Sequence, residues 1–274
     1  MWRGGGGDPN AGPPLPGAAA WGAVAEAEFI DADGAVRREP LSRCWSVAFE
    51  RVLPVRGFSS FRGQRNRPGW WWFASTGELV AHESWVERDR LMALDADPEV
   101  VGVAAQPMWL HWTDASGRAL RHAPDYFARR ADGTGVVIDV RPDQRIGDRD
   151  AAVFAATARL CAQVGWEYER VGELDSVRAA NLRWLAGYRH PRYAQPALMG
   201  RLRAVFAEPA PLLAGAATVG DPVVALPVLF GMLWRGELAA DLGTCRLAPA
   251  TLVRAREGLA PGQMAGTEAV RPAG

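Results

Sequence analysis

Three charged residues on two neighbouring predicted strands have the types and spacing needed for chemistry on phosphate esters. Asp125 stands at the start of one strand, and Asp139 and Arg141 lie two positions apart on the next. Residues i and i+2 of a strand share a face, so we expect Asp139 and Arg141 to point the same way. Buried carboxylates without a partner are costly. A Mg²⁺ ion, or Mn²⁺ in its place, would relieve that cost, because such ions prefer carboxylate and water ligands.

Glu87 offers a third carboxylate upstream of these strands. It lies in the first turn of a helix predicted over 84–95, and such a helix can pack beside the sheet and direct Glu87 to the same point. The alternative is a capping box, S-x-x-E, in which Glu87 reaches back to the Ser84 amide. Both interpretations stay open, and Glu83 is the nearest competing acid.

The other candidate residues also have structural interpretations. Asp125 follows a proline, which is typical of a turn. Asp139 inside an apolar strand needs a partner, which Arg141 could provide, or the strand could have one wet face. His122 lies near Asp125 and could contact DNA or a metal-bound water. A structural role is commoner for such a histidine, so it is left outside the predicted catalytic set.

The segments around these residues predict an α/β fold. Hydrophobic periodicity and turn signals give the order α-β-β-β-α-β-α, which favours a mixed sheet flanked by helices. The predicted segments are a helix over 84–95, an extended stretch over 100–112, strands over 122–130 and 135–141, a helix over 150–164, a strand over 166–171 and a helix over 176–188. Helices over 197–206 and 227–235, followed by a short extended piece, predict a small helical or winged-helix-like domain.

Composition divides the chain into four parts. Residues 1–43 are rich in Gly, Pro and Ala, and we expect a disordered low-complexity tail there. A catalytic domain is predicted over 44–191, a helical domain over 192–256, and a loose tail over 257–274. The Gly-rich start does not have the pattern of a signal peptide.

The composition also bounds the compartment. The three cysteines are far apart and form no metal-type pair, which favours a reduced, cytoplasmic setting. The longest apolar stretch, 223–234, is too short to span a bilayer, so we expect no membrane partner.

The overall charge does not indicate nucleic-acid binding, but one short stretch of the sequence does. The formal net charge is zero, and all 31 basic residues are arginine. The stretch 61–72, FRGQRNRPGWWW, contains Arg62, Arg65 and Arg67 and no acid, beside three tryptophans. Arginine with aromatic side chains can bind phosphates and stack on bases. The alternative is a surface hairpin whose tryptophans cover the core.

Taken together, the acids and their neighbours resemble a nuclease signature. Glu87, then Pro124-Asp125, then Asp139-Val140-Arg141 are close to the PD-(D/E)xK pattern. More specifically, the segments 84–98, 122–127 (HAPDYF) and 139–142 (DVRP) resemble motifs of TnsA, an endonuclease subunit of heteromeric cut-and-paste transposases. The segment 181–188 resembles the helix that ends the catalytic domain of that family. The resemblance covers roughly 62–192.

This resemblance implies a restriction-endonuclease-like sheet followed by a winged-helix domain. It implies that Glu87, Asp125 and Asp139 hold Mg²⁺ and that the enzyme hydrolyses phosphodiester bonds at the 5′ ends of a transposon. The implied partners are double-stranded DNA, a TnsB-like DDE transposase and a TnsC-like ATPase.

The chain departs from the family pattern at Arg141, where a lysine normally stands. Arginine can stabilise a charged phosphate but cannot act as a base. The lysine-free chain could have kept its activity with arginine, or it could be a non-catalytic subunit that binds DNA ends and partners. A restriction-type or repair-type nuclease with the same core is a further alternative, because a fold alone does not fix function.

Overall fold

The structure is a computed structural model that describes residues 25–57, 67–114 and 116–256, and these form a mixed α/β protein. The strands in chain order are β1 (Glu26–Ile30), β2 (Val36–Pro40), β3 (Gly69–Trp72), β4 (Leu79–His82), β5 (Val100–Ala105), β6 (Trp109–Thr113), β7 (Ala119–His122), β8 (Tyr126–Arg130), β9 (Gly135–Val140), β10 (Glu167–Val171), β11 (Ala210–Pro211), β12 (Leu238–Ala240) and β13 (Leu252–Ala255). The helices are α1 (Trp85–Asp95), α2 (Asp148–Gln163), α3 (Ser176–Leu185), α4 (Pro196–Val205), α5 (Leu212–Val219) and α6 (Pro222–Trp234).

The chain divides into two compact units, each with its own apolar core. The first unit holds the described residues of Met1–Trp70 together with Val80–Glu87 and Glu99–Glu173. The remaining described residues form the second unit. This division differs from the expected boundary near residue 191, because the apolar sides of α3 and of the later part of α1 belong to the second core.

A four-stranded mixed sheet in the order β10-β9-β8-β5 is the centre of the first unit. β8 is antiparallel to both β5 and β9, whereas β9 and β10 are parallel. The parallel pair needs a crossover connection, and α2 supplies it. The turn between β8 and β9 has Gly133 at a φ of 90°, and it joins the two strands predicted over 122–130 and 135–141 as an antiparallel hairpin. The predicted mixed α/β architecture, a sheet accompanied by helices, is therefore present.

β9 is buried along its whole length. Its sequence, GVVIDV, is the near-continuous apolar run expected of a strand covered on both faces. A Cβ added at Gly135 would lie 2.6 Å from Phe127 Cζ and 3.0 Å from Trp166 Cδ1. These two rings pack edge-on with centroids 5.5 Å apart. They occupy the space that a side chain at position 135 would need.

A second four-stranded sheet, β2-β1-β6-β7, is antiparallel throughout. Ala27 and Phe29 of β1 point into the core of the first unit. The expectation of a disordered tail over 1–43 is therefore wrong for the part that forms β1 and β2, where apolar residues alternate with charged ones. Residues 1–24 and the predicted tail over 257–274 lie outside the described residues.

The second unit combines helices with a small antiparallel sheet in the order β11-β13-β12. The predicted helix over 197–206 corresponds to α4. The helix predicted to begin at Pro227 begins instead at Pro222, because Asp221 caps it by accepting a hydrogen bond from the Val223 amide at 2.9 Å. α5 and β11 were not predicted.

α6 is apolar on all sides and supplies much of the second core. A helix of this kind is stable only when it is buried. Within the described ranges, no single helix is both long and apolar enough to cross a membrane, and α5 and α6 meet that test only as a pair bent by 119°.

The tryptophan-rich stretch also contributes to this unit. Trp71 Nε1 donates to Asp95 Oδ2 at 3.0 Å, and the Ala74 amide donates to Asp95 Oδ1 at 2.8 Å. Burial raises the pKa of Asp95 to about 6. The Arg189 guanidinium lies 4.3 Å from the centre of the Trp71 ring. Trp71 therefore packs as the structural interpretation of this segment predicted.

Candidate metal-binding active site

Asp125 immediately precedes β8 and ties two strands together. Its Oδ2 accepts a hydrogen bond from the Val140 amide, the last of β9, at 2.7 Å. Its carbonyl oxygen accepts from the Gln106 amide, just after β5, at 2.8 Å. The carboxyl group is therefore directed across the end of β9, and the plain-turn interpretation is insufficient. Within the described residues, Oδ1 of Asp125 receives no hydrogen bond.

The electrostatic environment of Asp125 disfavours its charge. Burial raises the pKa of Asp125 well above its usual range, and the negative charges of Asp139 and Glu87 raise it further. The hydrogen bond from the Val140 amide and the positive charge of Arg56 act in the opposite direction. Asp125, Asp139 and Glu87 thus form a group of acids close enough to repel one another and short of compensating positive charge.

Asp139 is the most deeply buried of the three acids, with 2% of its surface exposed. His122 Nε2 lies 2.9 Å from both of its carboxylate oxygens. The Tyr168 hydroxyl donates to Oδ2 at 2.8 Å. The idea that Arg141 is the partner of Asp139 is wrong, because within the described chain Asp139 is bonded to His122 and Tyr168.

These two partners come from two different sheets. Tyr168 is in β10, which is parallel to β9 and pairs Tyr168 with Val137. His122 is the last residue of β7, in the other sheet of the same unit. Phe154 of α2 packs edge-on against the His122 ring with centroids 6.2 Å apart. Side chains from β7 and β10 thus contact the Asp139 carboxylate, and α2 packs against one of them.

Glu87 forms the capping box at the start of α1. Its Oε1 accepts from Ser84 Oγ at 2.7 Å, and its Oε2 accepts from the Glu83 amide at 2.7 Å. The Glu87 amide donates in return to Ser84 Oγ at 3.2 Å. The cap reaches the Glu83 amide rather than the expected Ser84 amide. Burial raises the pKa of Glu87, and its charge acts on Asp125, so the side chain caps the helix and also borders the site.

Glu83 does not compete with Glu87 for this position. Its Oε2 forms an ion pair with Arg56 at 3.0 Å.

Arg141 lies just beyond the end of β9, with 47% of its side chain exposed. Its guanidinium contacts Asp150 of α2 at 3.2 Å, and this hydrogen bond lowers the pKa of Asp150. Within the described chain no ion pair joins Arg141 to Asp125, Asp139 or Glu87. The prediction that Asp139 and Arg141 point the same way from one strand is therefore wrong. β9 ends at Val140, between the two residues, and of the two only Asp139 is buried.

The donor set fits a hard divalent cation in its chemistry. Asp125, Asp139 and Glu87 offer only carboxylate oxygens, which Mg²⁺ and Mn²⁺ prefer. Among the described residues, no three His, Cys, Asp or Glu side chains are grouped as a ready-made metal site. The side chains of Asp139 and Glu87 are both engaged with protein donors. Asp125 keeps an oxygen available, so Asp125 and Asp139 are the best-placed pair.

The predicted DNA-binding arginines are placed only in part. Arg62 and Arg65 lie outside the described residues, and Arg67 is exposed. Near it, Trp70 is exposed, whereas Trp72 stacks on His190 with ring centroids 5.6 Å apart.

Sequence reasoning missed the two partners of Asp139. His122 was left out of the site, and Tyr168 was not singled out within the alternating strand sequence EYERV. The one available signal was Asp139 itself, because an acid in a fully apolar strand requires donors. Their identity depends on which strands lie beside β9, and that is a tertiary property.

Comparisons with known proteins give no further assignment. No protein-family model matches the chain, and no curated protein matches it. A function must therefore be inferred from the residues of the site themselves.

Proposed function

We propose that this chain is a divalent-metal-dependent DNA endonuclease, acting as the TnsA-like subunit of a heteromeric cut-and-paste transposase. Its substrate would be double-stranded DNA at the transposon ends, cut on the 5′ side. Its partners would be a TnsB-like DDE transposase and a TnsC-like ATPase. The observation that carries the proposal is the pair of acids at the ends of adjacent strands, the half-buried Asp125 and the buried Asp139.

This pair is difficult to explain as a device for stability. Burial and the charges of its neighbours raise the pKa of Asp125 well above its usual range, so the charged form destabilises the metal-free fold. Perturbed acids that share a small region are more typical of functional sites than of structural ones. A divalent cation would compensate the charges of both carboxylates at once.

The surrounding fold supports the same proposal. The first unit contains a four-stranded mixed sheet, in which β9 and β10 are parallel and are connected through α2, and this arrangement supports the proposed restriction-endonuclease-like core. The second unit, with helices and a small three-stranded sheet, has the elements expected of a winged-helix-like domain. These likenesses of topology support the family proposal, while the chemistry is argued from the site.

The residues would divide the work as follows. Asp125 and Asp139 would bind the metal, with Glu87 as the third acid at the border. A bound Mg²⁺ supplies a Lewis acid for the phosphate and lowers the pKa of a coordinated water. The Val140 amide holds the Asp125 carboxylate in place. Arg141, exposed beside the pair, is suited to hold the phosphodiester by its planar cation but not to remove a proton.

Plasmid nicking tests this proposal. Purified protein is incubated with supercoiled DNA and Mg²⁺ or Mn²⁺, and the nicked form is quantified. We expect the wild type to nick DNA only with metal, and Asp125→Ala and Asp139→Ala to fall to background while remaining folded. A matched control is Asp132→Asn, which changes an exposed acid at the opposite end of the same hairpin and keeps the side-chain acceptor of its turn. Nicking undiminished in Asp139→Ala would refute the site.

A second candidate is a non-catalytic subunit that binds DNA ends. The position of Arg141 favours it, because the guanidinium is paired with Asp150 instead of lying on the acids. Arg141→Lys separates the two candidates. If arginine has replaced lysine in an active enzyme, wild type and Arg141→Lys both cut DNA. If the chain is non-catalytic, the wild type binds DNA without cutting it under any metal.

A further inference from the structure

The Asp139 carboxylate has a hydrogen-bond arrangement unlike that of the other two acids. Glu87 is held by its own helix start, and Asp125 by a backbone amide of the neighbouring strand. Asp139 is held only by side chains from other elements, Tyr168 at 2.8 Å and His122 at 2.9 Å. Such long-range side-chain contacts fix the direction of a carboxylate independently of its own backbone.

Both contacts have the chemistry of donors to a charged carboxylate. A carboxylate can only accept, so the proton between His122 Nε2 and Asp139 belongs to the imidazole. A phenol is protonated at neutral pH, so the Tyr168 hydroxyl supplies the proton of its hydrogen bond to Oδ2. Hydrogen bonds to ionised acceptors are the stronger kind.

Among the described residues, no arginine forms an ion pair with Asp139 in place of these two donors. Arg141, the nearest basic residue in the motif, is paired with Asp150, and within the described chain it makes no ion pair with Asp139. The orientation of Asp139 therefore depends on the phenol and the imidazole. Their bonds leave further lone pairs on the carboxylate, which has about four acceptor positions.

We infer that Tyr168 and His122 are positioning residues that together orient the Asp139 carboxylate for a divalent cation shared with Asp125. This inference rests on the proposed function for its metal, and it adds two residues that the motif does not include. Tyr168 of β10 donates to Oδ2. His122 reaches both oxygens from β7, with 19% of its side chain exposed.

The inference predicts a loss of metal affinity when either donor is removed. Loss of a group that orients a metal ligand typically lowers metal affinity by about 10- to 100-fold. Tyr168→Phe removes only the hydroxyl, and His122→Leu removes the imidazole donor. His122→Gln places an N–H donor near the position of Nε2 and should recover most of the affinity that His122→Leu loses.

The test is Mn²⁺ binding to the full chain, measured from the electron paramagnetic resonance signal of free Mn²⁺ at fixed pH and salt. We expect the dissociation constant to rise about 10-fold or more in Tyr168→Phe and His122→Leu, with recovery in His122→Gln. Asp139→Ala shows the weakest Mn²⁺ binding expected at this site. Tyr193→Phe removes a hydroxyl in the second unit and is the control, whose dissociation constant should equal that of the wild type. Thermal unfolding of each variant shows that it is folded.

The outcomes distinguish this inference from the proposed function. If Tyr168→Phe and His122→Leu bind Mn²⁺ as the wild type does, the positioning role is overturned, even if DNA is cut. If they bind weakly and His122→Gln recovers, the role stands, even if DNA is never cut. If the wild type binds no Mn²⁺, or if His122→Gln binds as weakly as His122→Leu, the inference is overturned as well.

Discussion

At the scale of single residues, acids at the site lie where burial makes their charged form unfavourable for the folded protein. Asp125 is the clearest case, because burial and two neighbouring carboxylates act on it in the same direction. The one strong compensating contact is the amide of Val140 at 2.7 Å. We expect such a residue to lower the stability of the metal-free protein and to be compensated when a cation binds. Its effect on stability can be measured without a substrate.

Asp125→Asn should stabilise the metal-free protein at neutral pH. The folded-state pKa of Asp125 is raised above its ordinary value of 3.8, so its contribution to stability is fully present below that value and is lost as pH rises through the folded pKa. Asparagine removes the charge and can still accept from the Val140 amide. We therefore expect a higher melting temperature than wild type at about pH 7, and a difference that shrinks toward about pH 4.

This prediction is checked by thermal unfolding in a chelator across that pH range. Asp132→Asn is the control, because the pKa of exposed Asp132 is lowered by the Thr134 amide and its neutralisation should not stabilise the fold. A variant Asp125→Asn that is less stable than wild type at neutral pH would contradict the account of the site.

Which residues surround the acids could be predicted only in part. The pattern of Asp125 and Asp139 was readable, because an acid after a proline and an acid in an apolar strand stand out locally. Tyr168 and His122 were not readable, because the register between strands and the pairing of sheets decide which side chains meet. Glu87 was readable as a helix cap, which the structure shows, and its role as a metal ligand stays a prediction.

At the scale of elements, β9 is the feature on which the site depends. Its first residue, Gly135, gives room to Phe127 and Trp166, and its last residues carry Asp139 and the amide that binds Asp125. A displacement of Gly135 at one end of this six-residue strand would also move Asp139 and the Val140 amide at the other end. Packing at Gly135 is therefore expected to matter for the site as well as for the core.

Gly135→Ala should destabilise the protein by about 1–3 kcal/mol, the usual cost of overpacking a core. The added Cβ would lie 2.6 Å from Phe127 Cζ, too close unless a ring moves. Gly200→Ala is the matched control, because Gly200 lies in α4 with nothing within 4 Å of an added Cβ. Alanine there should be neutral or stabilising. Denaturant unfolding measures both, and equal stability of Gly135→Ala and wild type would contradict the described packing.

Most elements with a strong periodic pattern were predictable. The predicted helices over 84–95 and 150–164 correspond to α1 and α2, and the predicted strands over 135–141 and 166–171 to β9 and β10. The missed elements have physical causes. α5 is short and rich in Ala and Gly, β11 has two residues, and β1 and β2 lie next to a stretch whose composition dominated the prediction.

At the scale of the whole molecule, the candidate site belongs entirely to the first unit. Glu87, Asp125, Asp139, His122 and Tyr168 all lie within it. The boundary between units could not be read from composition, because segments distant in sequence share one core. Met92 of α1 and Leu182 of α3 pack in the same cluster as Leu229 of α6.

The three cysteines allow a test of the first core without any ligand. Cys44 and Cys161 are buried, and burial raises their pKa values to about 11 and about 12, whereas Cys245 is exposed. The thiolate is the reactive form, so only Cys245 should react rapidly with an aromatic disulfide reagent in the folded protein. Denaturant should release the other two, and Cys245→Ser should abolish the rapid phase. A rapid phase that persists in Cys245→Ser would contradict the burial described.

The central claim, that Asp125 and Asp139 hold a divalent cation, is tested most directly by thermal unfolding during titration with Mg²⁺ and Mn²⁺. A ligand that binds only the folded state raises the apparent stability by RT ln(1 + [L]/Kd). We predict a metal-dependent rise in melting temperature for the wild type and for Asp132→Asn, and none for Asp139→Ala. A rise of equal size in Asp139→Ala, or no rise in the wild type, would contradict the claim.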